Sequence, residues 1–125
     1  MAKAFLELNI WQKGFELLQE VYKVSAKFPI EEKYSLTSQI KNSAISVISN
    51  IAESHGRYHF ADKIRVLYIA RGEVEELRSH LRIAKSQSYI SDIEFKHLDT
   101  EYEGLSRGIS SYIQVLDKKK QVFQN

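Results

Sequence analysis

The sequence predicts an all-α fold, an antiparallel up-down-up-down four-helix bundle, on three observations. Apolar residues recur at three- and four-residue spacing over four long segments, the period of a helix face and not of a strand. The 125 residues hold one proline and five glycines, too few turn formers for a fold of many short strands. Apolar residues make up 43% of the chain, enough to fill one core at this length, so positions 1–125 are expected to form a single domain.

The first helix is expected over about 10–28. Asn9 is its candidate N-cap, with Gln12 three residues on as capping-box partner. Ile10, Leu17, Val21, Val24 and Phe28 line one side, and Trp11, Leu18 and Tyr22 widen the arc. The helix should stop at Phe28-Pro29, because proline disfavours helix at the residue before it. Ile30 to Ser35 is a connection with room for a short helical turn.

The second helix is expected over about 36–55. Leu36, Ile40, Ala44, Val47, Ile48, Ile51 and Ala52 share one arc, and Gln39, Asn42, Ser43, Ser46, Asn50 and Glu53 take the other. Strict alternation fails at Ser43-Ala44-Ile45-Ser46, so a strand fits poorly. Gly56 is read as a left-handed C′ stop. The third helix, about 60–86, repeats Phe60, Ile64, Leu67, Val74, Leu77, Leu81 and Ala84, and Gly72 in its middle marks a close helix approach. The fourth, about 92–118, opens on an S-x-x-E capping box at Ser91 and Glu94. Leu98, Tyr102, Leu105, Ile109, Tyr112 and Leu116 then alternate in a heptad, and the basic tail from Asp117 is expected to fray. Ile45, Ile69 and Ile83 lie off the main stripes, a surplus of apolar surface that suggests self-association.

Composition narrows the function classes. There is no cysteine, so disulfides, thiolate zinc sites and cysteine nucleophiles are excluded. No apolar run approaches the ~18 residues of a membrane span, and MAKAFLELN lacks the apolar stretch of a secretory signal. The expected compartment is the cytoplasm. The net charge of +2 is mildly basic, which permits RNA or DNA without demanding either.

No catalytic constellation emerges. The serines between Asn42 and Arg57 have no G-x-S-x-G elbow and no strand to carry one, so they read as small residues on a closely packed helix. Glycine spacing fits no nucleotide-binding loop. Di-iron bundles need two Glu-x-x-His motifs, and the chain has one, Glu94 to His97. Metals, cofactors and small-molecule substrates are therefore not expected, nor is an enzyme. The basic residues offer more. Arg71, Arg78, Arg82 and Lys85 fall within about 60° of one another on the third helix. Arg57 and Lys63 stand near its start, and Lys118, Lys119 and Lys120 close the fourth helix. Such a row suits phosphates, or else its stems cover apolar surface beside the core, or it pairs with acids across a subunit contact. Most Phe and Tyr fall on core arcs, so no stacking platform is expected.

In combination these residues resemble a family. Phe28-Pro29, Glu32, Tyr34, Leu36, Gln39-Ile40, Ala44, Asn50-Ile51-Ala52-Glu53 and Gly56-Arg57 follow the pattern F-P-x-x-E-x-Y-x-L-x-x-Q-I … N-I-A-E-G-x-G-R. Trp11 matches the family tryptophan, and Ala70, Gly72, Glu76-Leu77, Leu81, Ala84 and Tyr89 match A-x-G-x-x-x-E-L-x-x-x-L-x-x-A … Y. The chain thus resembles, over nearly its whole length, the four-helix-bundle proteins named after intervening sequences in bacterial 23S rRNA genes. Ser54, Glu73 and Gly14 depart from the pattern, where glycine, serine and alanine are usual. The resemblance implies a four-helix bundle assembled as a ring-shaped homo-oligomer, a pentamer by preference, with no established enzymatic activity. It also implies a link to RNA or a nucleoprotein, since the accessory protein of diversity-generating retroelements looks like a relative. The alternative is a protein–protein scaffold that binds no nucleic acid.

Overall fold

The computed structural model describes residues 4–123. Among them are four α-helices and no strand: α1 (Asn9–Ser25), α2 (Leu36–Gly56), α3 (Phe60–Ser86) and α4 (Asp92–Phe123). Two single 3₁₀ turns, Phe5–Glu7 and Ile30–Glu32, precede α1 and α2. Cross-helix pairs set the directions. Gly14 lies on Ile48 while Lys41 covers the Tyr22 ring, so α1 and α2 run antiparallel. Lys63 reaches His55 across the α2–α3 corner, and Leu36 shares a cleft with Ile83 at the far end. Arg71 meets Ser110, and Arg78 meets Asp99. Lys13 pairs with Glu101 and Lys27 with Glu94, which closes α4 back onto α1. Each helix packs on its two flanking neighbours, and the diagonal backbones stay apart.

One continuous apolar cluster fills the middle. Leu17, Val21, Ile40, Val47, Ile51, Leu67, Val74, Leu77, Leu81, Tyr102 and Ile109 are wholly buried in it. Burying each such aliphatic side chain contributes roughly 1.5–3 kcal/mol before the opposing loss of conformational entropy. The α2–α3 contact is the most extensive, and small residues are buried on both helices: Ser43, Ala44 and Ser54 on α2 and Ala70 and Ala84 on α3. The α1–α4 contact is the loosest, leaving a cleft of about 490 Å³ lined by Glu20, Lys23, Val24, Lys27, Glu94, His97 and Leu98.

Helix ends are where the structure departs from the sequence expectations. Asn9 is the first helical residue and not the cap; the cap position is Leu8, whose side chain is buried in the core. That burial sets the entry of the chain, and Gln12 instead donates to the Leu6 carbonyl at 2.8 Å. α1 stops at Ser25, short of Phe28. The Lys27 and Phe28 amides bond the carbonyls three residues back, and this tightened turn swings the Phe28 ring to 5.5 Å from Tyr89. Gly56 is the last residue of α2 and has no positive φ, so it is not a left-handed stop. The Lys63 ammonium meets the free carbonyl of His55 at 2.8 Å instead. The left-handed residue is Ser88, at φ 63° after α3. Around it Tyr89 N–H bonds the Ala84 carbonyl and Ser88 N–H bonds that of Lys85, a Schellman closure made without glycine.

Three further expectations need correction. Gly72 has nothing within 4 Å of where a Cβ would stand, so it marks no close approach within the chain. Gly14 does, its Cβ position lying 2.5 Å from Ile48 Cγ2. The tail does not fray at Asp117: α4 continues to Phe123, whose ring stacks on Phe60 at 6.2 Å, and Gln124 and Asn125 lie outside the described residues. The capping box forms as read, with the Ser91 amide donating to Glu94 and the Glu94 amide to Ser91 Oγ, both at 3.0 Å. Within the heptad, Ile113 takes a buried place and Tyr112 is half-exposed, as the drift of an α-helix against a seven-residue repeat requires.

Candidate nucleic-acid interface

The six candidate cations separate into two groups. Arg71, Arg78, Arg82 and Lys85 stand along the seam between α3 and α4. Arg78 is the most tied down. Its Nε donates to Asp99 Oδ1 at 2.8 Å, and its two Nη atoms reach Asp99, Glu75 and Glu103. Hydrogen bonding to Asp99 holds its guanidinium more firmly protonated than usual, against the opposing effect of partial burial. Arg71 donates to Ser110 Oγ at 3.1 Å and lies 4.7 Å from the centre of the Tyr68 ring. Arg82 and Lys85 both cover the Phe95 ring at 4.9 Å, and Lys85 also stands 3.9 Å from Asp92. The row is therefore a set of stems and forks covering the apolar seam, with Arg71 and Arg82 meeting no acid among the described residues and Lys85 only Asp92.

Arg57 and Lys63 belong to the α2–α3 corner. Arg57 pairs with Glu53 one turn back. Lys63 caps α2, and burial alone pushes its ammonium below the usual lysine value. Other cations at that end have no charged partner among the described residues: Arg65, Lys118, Lys119 and Lys120.

Aromatic exposure is the feature that sequence reasoning missed. Phe15, Tyr22, Tyr34, Tyr58, Tyr68 and Phe123 are all exposed, with Tyr58 at 79%. Tyr58 and Tyr34 stand in connections, outside any periodic stripe, and that position was the available signal. The serines of the second helix behave as read. Ser43 and Ser54 are buried between helices, and Ser54 Oγ donates to the Ile51 carbonyl at 3.0 Å. His97 is engaged by Glu20 at 2.7 Å and Glu94 by Lys27. No group of three or more His, Asp or Glu side chains able to hold a metal lies among the described residues. No described helix is long and apolar enough to cross a membrane.

The family model for the 23S rRNA-intervening sequence protein matches residues 6–111. The chain belongs to that family. The fold of this 23S rRNA-intervening sequence family member is also found in a crystal structure from Bacteroides thetaiotaomicron, of a protein with unknown function from the S23 ribosomal protein family. The two superpose with a TM-score of 0.75 at 24% identity, over 83% of this chain and 97% of that one. No curated protein matches significantly.

Several signature positions of this family member have visible structural roles. Glu32 accepts the first amide of α2, from Leu36, at 3.3 Å and the Tyr89 hydroxyl at 2.9 Å, while Phe28 lies against the Tyr89 ring. Those residues lock the end of the bundle opposite the α2–α3 corner. Glu53 and Arg57 pair at the corner itself. Tyr34, in contrast, is 88% exposed, with Lys33 above its ring as its described contact.

Proposed function

We propose that this protein is a non-enzymatic, self-assembling helical bundle that binds RNA or a nucleoprotein through its basic residues, drawn from Arg57, Lys63, Arg71, Arg78, Arg82 and Lys85. The observation that carries the reading is the pairing of uncovered apolar stripes with cations that acids leave free. On α1 and α2, Phe15, Tyr22 and Ile45 are exposed side by side with half-buried Trp11 and Leu18, an apolar face suited to a second copy. Arg82 covers a ring and has no carboxylate within ion-pair distance among the described residues, and Lys85 meets only the exposed Asp92, at 3.9 Å, which leaves donors open to phosphate. The family name adds the link to rRNA, and a ring-shaped homopentamer in the cytoplasm is the assembly proposed. No catalytic or metal-binding constellation accompanies these features, and the reading assigns none.

Fluorescence anisotropy tests it, with a labelled structured rRNA fragment and a scrambled control at two salt concentrations. Submicromolar binding that weakens with salt is the expected result, since counterion release accompanies phosphate contacts. Absence of binding at low salt overturns it. The second reading, a protein scaffold without nucleic acid, is favoured by Arg78, whose fork is used up by Asp99, Glu75 and Glu103 of its own chain. It predicts that Arg82→Glu with Lys85→Glu weakens assembly. An intact oligomer by light scattering counts against it.

A further inference from the structure

The charge along the bundle axis is uneven. At the corner end, residues 4–10, 53–66 and 117–123 carry six Lys or Arg against four Asp or Glu. At the opposite end, residues 20–39 and 83–97 carry five of each. The waist between them holds six cations and seven acids. The positive excess of the described residues is thus confined to the corner end. Most of its cations also stand clear of acids: Arg65, Lys118, Lys119 and Lys120 meet none, and Arg57 pairs with Glu53. The Phe60–Phe123 stack sets the last turn of α4 beside the start of α3, so the three lysines are helical and lie next to the corner. Tyr58 projects from the same corner at 79% exposure, with the His59 ring edge-on to it at 4.9 Å.

From this placement we infer that the corner end of the bundle is a docking site for single-stranded RNA, with Lys118, Lys119, Lys120 and Arg65 on the phosphates and Tyr58 stacking an unpaired base. The inference rests on the RNA-binding reading and moves its phosphate contacts from the α3–α4 seam to the corner end. Polyanion binding needs a local positive excess, and of the three regions only this end has one. Stacking needs an exposed ring beside that charge, because a base in a duplex offers no free face. The α3–α4 seam has rings too, but Phe95 is buried beneath Arg82 and Lys85, and the exposed Tyr68 stands in the waist, where acids outnumber cations.

Anisotropy with labelled oligouridine, which stays unstructured, tests the placement in the full chain. Lys118→Gln with Lys119→Gln and Lys120→Gln should lower affinity at least ~tenfold and make the salt slope shallower by about two, at roughly 0.7 for each phosphate no longer neutralised. Tyr58→Ala should lower affinity roughly tenfold and leave the slope unchanged. Circular dichroism establishes that each variant is folded, and Arg65→Gln serves if the triple variant is not. Wild-type binding retained in these variants, with both affinity and slope reduced in Arg82→Gln with Lys85→Gln, overturns the placement and leaves the RNA reading standing. Failure of the wild type to bind any RNA overturns both. Equal affinity for a duplex RNA overturns the role given to Tyr58.

Discussion

Gly14, Ser88 and Tyr102 are the residues at which single atoms decide stability. A methyl added at Gly14 meets the branched Cγ2 of Ile48, a buried side chain with no free end to move aside. Overpacking of this kind costs about 1–3 kcal/mol, more than the ~1 kcal/mol of helix propensity that alanine contributes. Gly14→Ala should therefore lower the urea midpoint. Ser88 holds a left-handed conformation that costs a non-glycine residue roughly 1–2 kcal/mol. Ser88→Gly should raise stability by about 1 kcal/mol in the same assay, because the Schellman bonds use only its backbone. The Tyr102 hydroxyl is buried with no hydrogen-bond partner among the described residues, and burial raises its pKa well above the ordinary tyrosine value. Tyr102→Phe removes an unsatisfied group and should leave stability unchanged or higher by about 1 kcal/mol.

At the scale of elements, the loose α1–α4 contact is bridged by two ion pairs, Lys13 with Glu101 and Lys27 with Glu94. Hydrogen bonding from Lys27, helped by the Ser91 amide, holds the Glu94 carboxyl below its ordinary value of 4.5, and Lys13 does the same for Glu101. Both carboxyls are thus ionised more readily folded than unfolded. Their contribution is fully present above about pH 4.5 and is lost as pH falls through the lowered folded values. Glu94→Gln with Glu101→Gln should flatten the pH dependence of the urea midpoint below that point. At pH 7 the change should be small, about 0.5 kcal/mol per pair, because both pairs are partly exposed. The α3–α4 seam behaves differently, since Arg78 joins three carboxylates at once and its fork fixes the register of the two helices.

For the whole molecule, the surface divides by chemistry. The apolar stripe of Phe15, Tyr22 and Ile45 lies along α1 and α2, while the positive excess lies at the corner end. A bundle with this division can associate through its sides and leave an end open to a partner. Phe15→Lys with Tyr22→Lys should dissociate the proposed assembly in light scattering and leave the helical circular dichroism intact, since neither ring is in the core. An oligomer unchanged by that double substitution would place the interface on another face.

The four helices were legible from the sequence alone because helical periodicity is local: α3 begins and ends where its apolar repeat does, and Ser91 and Glu94 cap α4 by hydrogen bonds within one turn. So was the family, since its signature residues are read in order along the chain. The helix ends governed by distant neighbours were not legible. Leu8 displaces Asn9 as cap because the core takes its side chain, and Lys63 replaces a left-handed Gly56 because α3 folds back to place an ammonium there. The same holds for the candidate site. A helical wheel shows Arg71, Arg78, Arg82 and Lys85 as one stripe, but Asp99, Glu103, Ser110 and Phe95, which engage them across the seam, come from α4, and α4 is distant in sequence. Spacing within a helix fixes which residues share a face; which of those faces stays open to solvent is decided by what packs against it, and that is a property of the tertiary structure.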